Sequence, residues 1–264
     1  MMKKPEKLLI FLSICIFLIS SPLFSETSSE SSYSLDLKTE LIIGGFTAGL
    51  FAFDFFLDAD PDSIGSKNDV FFLDRKLMYP YNKTLDTIST IGVGAALALP
   101  LIPIFDSIKD LNYFGTYLVM YAEAILLTTA TKNFFKTVAA RNRPYTYEGE
   151  IPSGKKDDYY KSFLSGHTSY AFLGATFFAT TFSKEYPDSK WKIPLIIGGY
   201  SIATTVGALR IASGSHFLTD VLAGAFVGSF YGWFIPNLHI KSKNNESEVL
   251  VLPVGNNLLF SVSF

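Results

Sequence analysis

Three short blocks concentrate charged residues at the edges of apolar segments. In the first block, residues 136–144, Arg143 follows Lys136 by seven positions and Pro144 comes next. On a helix this spacing is about two turns, so both cations would lie on one face, and Pro144 would stop the helix. Two such cations suit a phosphate, because arginine offers a fork of donors and lysine a point charge. The alternative is a basic helix end that binds its own carbonyl groups.

The second block, residues 162–168, comes directly before an apolar segment. Ser165 is a natural N-cap residue, and Gly166 would let an anion approach the free amides of the first helical turn. His167 would then be placed to donate a proton to a bound group, although a structural histidine is the alternative. The similar tetrapeptide at 152–155 lacks a histidine and lies in a polar loop, so we set it aside.

The third block, residues 210–220, contains Arg210, His216 and Asp220. His216 and Asp220 are four residues apart, so a helix that includes both would stack them on one face. The carboxylate would then hold one imidazole nitrogen and leave the other free as a nucleophile. Arg210 lies before a Ser-Gly-Ser turn and is expected to return to the same site. The alternative is an ordinary surface pair on a helix.

Taken together, the blocks resemble the signature of the type-2 phosphatidic acid phosphatase superfamily, in its branch of bacterial membrane-associated lipid phosphatases. That signature reads Lys-x6-Arg-Pro, then Pro-Ser-Gly-His, then Ser-Arg-x5-His-x3-Asp. Leu164 stands where the signature has proline and Leu209 where it has serine. The resemblance covers roughly residues 111–236, about half of the chain. It implies a helical bundle shared with bacterial acid phosphatases and vanadium haloperoxidases.

The resemblance also implies a mechanism that uses neither a metal nor another cofactor. His216 would attack phosphorus to give a phosphohistidine, Asp220 would orient His216, and His167 would protonate the leaving group. The implied phosphate-binding residues are Lys136, Arg143, Ser165, Gly166 and Arg210. The departures at Leu164 and Leu209 affect supporting positions, so they put rate or substrate range in question more than the class of reaction.

Composition narrows the class of protein further. The chain has 264 residues, of which 48% are hydrophobic and only 17% charged, with a mean hydropathy of +0.28. The net charge of −2 lacks the excess of basic residues that is typical of nucleic-acid-binding proteins. The one cysteine, Cys15, lies in the N-terminal apolar run, so the rest of the chain has no disulfide and no cysteine-ligated metal site.

The distribution of apolar and polar residues divides the chain into four regions. Residues 1–25 read as a signal peptide or an N-terminal anchor, and residues 26–37 as a polar linker. Residues 38–240 form the predicted phosphatase-like domain, with its motifs at 136–220. In the tail at 241–264, two strand-like runs around Gly255-Asn256-Asn257 indicate a small β-hairpin.

Six apolar stretches predict an all-α bundle of about six helices, embedded in a membrane. They are 41–57, 88–105, 111–131, 169–183, 193–209 and 221–236. Their many small residues are typical of closely packed membrane helices. An exported soluble bundle, buried against itself, would show the same pattern and is the alternative.

Lysines indicate how the bundle is oriented. Three lie in the loop at 184–192, and Lys241 and Lys243 follow the last stretch, so both regions would face the cytoplasm. The three blocks would then face the periplasm. This conflicts with an exported N-terminus and six spans, so we expect one stretch not to cross. We expect the stretch at 41–57 to be the one that does not cross, because Asp54 interrupts it.

The sequence therefore predicts a metal-independent phosphatase at the inner membrane of a bacterial cell envelope. Its substrate would be a phosphomonoester or a diphosphate, and we favour one carried by a lipid. The candidate lipids are phosphatidic acid, phosphatidylglycerophosphate, undecaprenyl diphosphate and lipid A. We predict no nucleic-acid partner and no obligate protein partner. Within the superfamily, a soluble exported acid phosphatase or a haloperoxidase is an alternative.

Two alternative functions lie outside this superfamily. A metal-dependent hydrolase would use His167, His216 and Asp220 as ligands, but this leaves the basic residues unexplained. A non-enzymatic scaffold or transport bundle would use charges within the apolar stretches, such as Asp54 and Glu123, as a path.

Overall fold

The computed structural model describes residues 32–57, 64–103, 111–149, 151–156, 158–241, 249–254 and 257–262. The proposed signal peptide or anchor at 1–25, with Cys15, and most of the linker lie outside these residues. The described part contains seven α-helices: α1 Leu37–Phe56, α2 Phe72–Lys76, α3 Lys83–Ala98, α4 Leu111–Ala139, α5 Gly166–Glu185, α6 Lys192–Ala212 and α7 Leu218–Leu238. Two short 3₁₀-helices, Lys67–Asp69 and Pro144–Glu148, lie in the connections.

The all-α class predicted from the sequence is confirmed. Six of these helices are long and correspond to the six apolar stretches, whereas the short helix α2 was not predicted. After the bundle, strands β1 (Val249–Val254) and β2 (Asn257–Val262) pair antiparallel as a two-stranded hairpin, where the tail pattern indicates one.

Helix α5 lies at the centre and contacts α3, α4, α6 and α7. Its close contact with α7 depends on Gly224, Gly228 and Gly232, which recur every fourth residue on one face of α7. A Cβ atom on Gly228 would lie only 2.0 Å from the carbonyl oxygen of Ser169 in α5. Small residues at this spacing let two helix backbones approach closely, as in membrane-protein interfaces.

An aromatic core between α4 and α5 is built around Phe177. The rings of Tyr117 and Tyr121 lie with their centroids 5.5 and 4.9 Å from that of Phe177. The Tyr121 hydroxyl donates to the Leu97 carbonyl at 2.7 Å, and that of Tyr117 lies 2.9 Å from Thr181 Oγ1. Each buried hydroxyl therefore has a polar partner, which offsets the cost of its removal from water.

The outer surface of the bundle is apolar. Large side chains such as Ile91, Ile197 and Phe226 are 68%, 61% and 71% exposed. Four helical segments of the described chain are long and apolar enough to cross a membrane: Leu37–Phe56, Lys83–Pro103, Lys192–Ala212 and Leu218–Leu238. An exposed apolar surface of this kind is stable in lipid and not in water. The chain is a membrane protein, and the soluble alternative is not supported.

Helix α1 runs the full height of the bundle. At one end, the Ser34 amide donates to the His239 carbonyl at 2.9 Å, beside the C-terminal end of α7. At the other end, Asp54 accepts a hydrogen bond from Thr137, near the C-terminal end of α4. Helix α1 joins both ends of the bundle and is one of the four segments long and apolar enough to cross, whereas the expectation that the stretch at 41–57 does not cross stays a prediction.

Candidate active site

A cavity of about 350 Å³ opens among the ends of α3, α4, α5 and α6. Most of the predicted site residues line it: Lys136, Arg143, Gly166, His167, Arg210 and His216. The other lining residues are Thr90, Val93, Lys132, Lys155, Asp158 and Tyr170. Five of the twelve residues that line the cavity carry a lysine or arginine charge, so the cavity is suited to an anion.

Arg143 reaches the cavity from a loop, not from the helix of Lys136. Helix α4 ends at Ala139, four residues before Arg143, so the prediction that the two cations share a helix face is wrong. Pro144 does not stop α4 but begins a 3₁₀-helix that follows Arg143. The Arg143 amide donates to the Tyr159 carbonyl at 2.7 Å, which fixes the loop against the cavity. Tertiary contacts, and not helical spacing, bring the two cations together.

A tight turn returns the chain from α6 to the cavity. Gly214 has a φ of +67°, and a Cβ there would lie 2.2 Å from the carbonyl oxygen of Tyr79. Only glycine fits this left-handed position beside another backbone. The amides of Ser215 and His216 both donate to the Arg210 carbonyl at 3.2 Å. The turn therefore places His216 next to Arg210, as the sequence predicts.

The imidazole of His216 is buried, with 1% of its residue surface exposed, and contacts Arg143. Nη1 of Arg143 lies 3.1 Å from Nε2 of His216. A guanidinium has only donors, so Nε2 must be the acceptor, and the proton of the neutral ring is on Nδ1. Burial lowers the pKa of His216 well below its usual range, and the charges of Arg143, Arg210 and Lys136 lower this pKa further. The neutral ring thus keeps a lone pair on Nε2.

Asp220 lies behind His216, but not through the helical stacking that the sequence suggests. Helix α7 begins at Leu218, after His216, so the two residues do not share a helix face. Nδ1 of His216 lies 3.5 Å from Oδ2 of Asp220 and has no hydrogen-bond partner among the described residues. The same Oδ2 accepts hydrogen bonds from Ser162 Oγ at 2.5 Å and from the Phe217 amide at 3.0 Å. The carboxylate is fixed beside the ring, at a distance that does not amount to a hydrogen bond.

A second carboxylate holds Asp220 in place through Arg141. Arg141 donates to Asp220 Oδ1 at 2.6 Å and to Asp74 Oδ2 at 2.9 Å. The Thr219 amide donates to Asp74 Oδ1 at 2.9 Å, which ties helix α2 to the start of α7. Sequence reasoning missed both residues. Arg141 lies inside the first block, two positions before Arg143, so its position could have identified it from the sequence. Asp74 lies far from every block and has no such signal.

His167 lies at the start of α5 and faces helix α3. Its Nε2 lies 3.0 Å from the hydroxyl oxygen of Thr90. That hydroxyl donates its proton to the Asp86 carbonyl at 3.1 Å, so it acts as acceptor toward the ring. Nε2 of His167 therefore carries a proton, but burial and the charge of Arg210 lower the pKa of His167 to about 3, so the ring is neutral in the empty cavity. General-acid action requires a bound phosphate anion to raise this pKa.

Ser165 is a predicted phosphate-binding residue that does not line the cavity. It holds the N-cap position of α5, as predicted, but its side chain makes no capping hydrogen bond. Ser165 Oγ lies 2.9 Å from Thr168 Oγ1, and the Ser165 amide donates to the Asp220 carbonyl at 3.1 Å. Gly166 does line the cavity, and the amides of the first turn of α5 have no intrahelical acceptor, so they could donate to an anion at this helix end.

Carboxylates pair with three of the five cations of the cavity. Arg143 pairs with Asp158 at 2.6 Å, and Asp86 pairs with both Arg210 and Lys155, with 3.3 Å between its Oδ2 and the lysine ammonium. Lys155 belongs to the tetrapeptide at 152–155 that the sequence analysis set aside. The structure corrects that choice, because Lys155 lines the cavity.

Comparison with known families agrees with this site. The family model described as the PAP2 superfamily matches residues 117–244. This span contains all three sequence blocks, both cavity histidines and Asp220. These residues match a PAP2 superfamily domain, which confirms the resemblance seen in the sequence.

Individual relatives are similar over part of their length. "Lipid phosphate phosphatase 1" of Arabidopsis thaliana is 29% identical over 194 residues, which are 61% of this chain and 58% of the plant protein. "Lipid A 1-phosphatase" of Porphyromonas gingivalis is 38% identical over 71 residues, 27% of this chain and 15% of that protein. The chain thus spans little more than half of the first relative.

One solved structure is also similar. It is a transmembrane PAP2-type phosphatidylglycerolphosphate phosphatase from Bacillus subtilis, with 19% identity and a TM-score of 0.46. The alignment covers 89% of this chain and 98% of that one.

Proposed function

We propose that this protein hydrolyses the phosphomonoester or diphosphate group of a membrane lipid through a phosphohistidine intermediate. The PAP2 domain and the phosphatase relatives support the class of reaction. The observation that carries the proposal is the position of His216 Nε2, a buried nitrogen with a lone pair in a cavity lined by five cationic side chains.

Phosphate binding is assigned to the cations and to the helix end. Arg143, Arg210 and Lys136 line the cavity opposite Gly166, whose amide belongs to the first turn of α5. Phosphoryl transfer depends mainly on position and on neutralisation of the equatorial oxygens. These donors supply both, so the reaction needs no metal at this site.

In the first step, the lone pair of His216 Nε2 attacks phosphorus and the bond from phosphorus to the lipid oxygen breaks. His167, protonated on both nitrogens while the phosphate anion is bound, gives its Nε2 proton to the departing oxygen and becomes neutral, so the lipid leaves as an alcohol, or as a phosphate from a diphosphate. The positive charge that develops on the His216 ring is stabilised by the carboxylate of Asp220, whose Oδ2 lies 3.5 Å from Nδ1.

In the second step, water attacks the phosphohistidine. His167, now without its proton, accepts one from the water as the oxygen bonds to phosphorus. The phosphorus–nitrogen bond breaks and its electron pair returns to His216 Nε2. Inorganic phosphate leaves, and both histidines regain their initial protonation states.

A lipid substrate is supported by the size and place of the cavity. About 350 Å³ holds a phosphate and the atoms next to it, but not long acyl chains. The cavity lies at one end of a bundle whose outer surface is apolar, so the chains of the lipid would remain in the membrane. Phosphatidic acid, phosphatidylglycerophosphate, undecaprenyl diphosphate and lipid A phosphates all have this form.

For the location of the site, we propose the periplasmic face of a bacterial inner membrane. His216 precedes α7, whereas Lys241 follows it, so the two lie at opposite ends of that helix. The loop after α5, with its three lysines at 184–192, lies at the same end as Lys241. Because lysine-rich loops remain in the cytoplasm, the cavity would open on the other side.

The proposed function is tested with the full chain in detergent. Phosphate release is measured from each of the four lipid classes, with and without a chelator, below the unfolding temperature. We expect release from at least one lipid, unaffected by the chelator and abolished in His216→Ala. Release that requires added zinc would support the metal-hydrolase alternative. No release by the folded wild-type protein would favour the scaffold or transport role.

A further inference from the structure

A second cluster of buried titratable side chains lies at the far end of α7. Glu40 in the first turn of α1, Glu123 in α4 and His239 just after α7 offer ligand atoms that all lie within 4.8 Å of one another. They are 3%, 1% and 2% exposed. The 21 residues of α7 rise about 31 Å, so this cluster is remote from His216 at the other end of the helix.

The contacts inside the cluster leave carboxylate oxygens without partners. His239 Nε2 lies 2.9 Å from Glu123 Oε2, and His239 Nδ1 lies 3.6 Å from Glu40 Oε1. Both oxygens of Glu40 and Oε1 of Glu123 are buried and have no hydrogen bond among the described residues. A buried carboxylate oxygen with no donor is strongly disfavoured, so the Glu40 side chain indicates a missing partner.

No basic side chain can be this partner. Among the described residues, neither Glu40 nor Glu123 pairs with a lysine or an arginine, and His239 is the one nitrogen base at ion-pair distance. One imidazole between two carboxylates cannot neutralise both and satisfy all four oxygens. A buried pair of carboxyl groups therefore requires either a proton on one of them or another cation.

We infer that Glu40, Glu123 and His239 bind a divalent metal ion of the zinc class. Two carboxylates and one imidazole are the donor set of Zn²⁺, and of Mn²⁺ or Fe²⁺, with a fourth position for water. Ligand atoms at about 2.0–2.2 Å from a tetrahedral ion lie about 3.4 Å apart. The His239 ring offers one nitrogen to the ion, and one ligand atom from each residue lies within 4.8 Å of the other two, so side-chain shifts of about 1–1.5 Å would complete the site.

The role of the ion is structural. It joins the start of α1, the middle of α4 and the end of α7, three elements that are distant in the sequence. The backbone already links two of them at this point, where the Ser34 amide donates to the His239 carbonyl. A metal ion here would fasten α1 to the bundle at the end opposite the catalytic cavity. The inference does not depend on the proposed phosphatase activity.

The test uses the full chain in detergent, purified through a tag that contains no histidine. The protein is stripped with a chelator and dialysed with ZnCl₂, and bound zinc is measured by elemental analysis together with the unfolding temperature. Separate samples receive MnCl₂ or MgCl₂. We expect one zinc ion per chain, an unfolding temperature that rises with zinc, and no comparable effect of magnesium.

Glu40→Gln removes one ligand with little change of shape, and Glu148→Gln, at an exposed pair with Lys67, is the matched control. Loss of an outer-shell partner already weakens metal binding about 10–100-fold, so loss of a ligand should weaken zinc binding at least as much. The control should bind like the wild type. If the wild type retains no zinc and Glu40→Gln is as stable as wild type or more so, protons alone neutralise the cluster and the inference is overturned.

Discussion

Arg143 covers the nitrogen of His216 that would attack the substrate, with Nη1 3.1 Å from Nε2. The same guanidinium donates to the Ser215 carbonyl at 2.9 Å and to Asp158 at 2.6 Å. A substrate phosphate would take the place of Asp158 as the anionic partner of Arg143. Until then, the arginine keeps the lone pair of His216 on Nε2 and its proton on Nδ1, the nitrogen on the side of Asp220.

This relationship predicts the protonation state of His216. Because burial and nearby cations lower its pKa well below the usual range, the neutral ring persists as pH falls. We expect His216 to stay neutral, with the proton on Nδ1, from about pH 7.5 to about 5.5, where a histidine with a pKa near 6.5 would be mostly charged. Nitrogen NMR of isotope-labelled histidine measures this, and the chain has only three histidines. The His216→Asn spectrum assigns the signal. A His216 that titrates near 6.5 would contradict the prediction.

Asp74 should support catalysis without contact with the substrate. In Asp74→Asn, Arg141 loses its second carboxylate, so Asp220 is held less firmly. We expect kcat to fall about tenfold to a hundredfold with little change in KM, and the free energy of unfolding to fall by about 1–3 kcal/mol. Asp69→Asn, on an exposed 3₁₀-helix nearby, is the control. An unchanged kcat in Asp74→Asn would show that the network has no part in catalysis.

Lys155 should contribute to phosphate binding. It lines the cavity and pairs with Asp86, whereas its neighbour Lys156 is exposed. A charged hydrogen bond is worth about 1.5–3 kcal/mol, so Lys155→Met should raise KM and weaken inhibition by inorganic phosphate about tenfold to a hundredfold. Lys156→Met should behave as wild type. Equal effects of the two substitutions would mean that Lys155 acts only through overall charge.

The role of His167 as a general acid predicts a dependence on the leaving group. A lipid alkoxide needs a proton to depart, whereas an aryl phosphate with an acidic phenol does not. His167→Ala should therefore lower the rate about 10²–10⁴-fold on a lipid phosphate and much less on the aryl phosphate. Parallel kcat/KM measurements on both substrates test this. The same loss on both would assign His167 to binding or to structure.

The sequence was sufficient for the class of fold and for most of the cavity. Apolar stretches predicted the six long helices, and the spacing of three blocks predicted six of the residues that line the cavity. The sequence was not sufficient to predict how the fold brings these residues together. Lys136 and Arg143 converge through the fold of a loop, and His216 lies before α7 and not on it.

The sequence analysis also missed residues that contact the site but lie far from the three blocks in the sequence. Asp74 and Asp86 carry no local pattern, yet they hold Arg141 and Arg210. Lys155 was set aside because its own tetrapeptide lacks a histidine. The cluster of Glu40, Glu123 and His239 joins positions that are about 80 to 200 residues apart, so only the packing of α1, α4 and α7 reveals it.

The covalent role of His216 is tested most directly by trapping the phosphoenzyme. The full chain is mixed with a lipid whose phosphate is radiolabelled, quenched in alkali within one turnover and digested, and the labelled peptide is identified. We predict an acid-labile, alkali-stable label on His216, present in wild type and absent in His216→Ala. Steady phosphate release by wild type with no labelled protein, or with the label on another residue, would contradict the phosphohistidine mechanism.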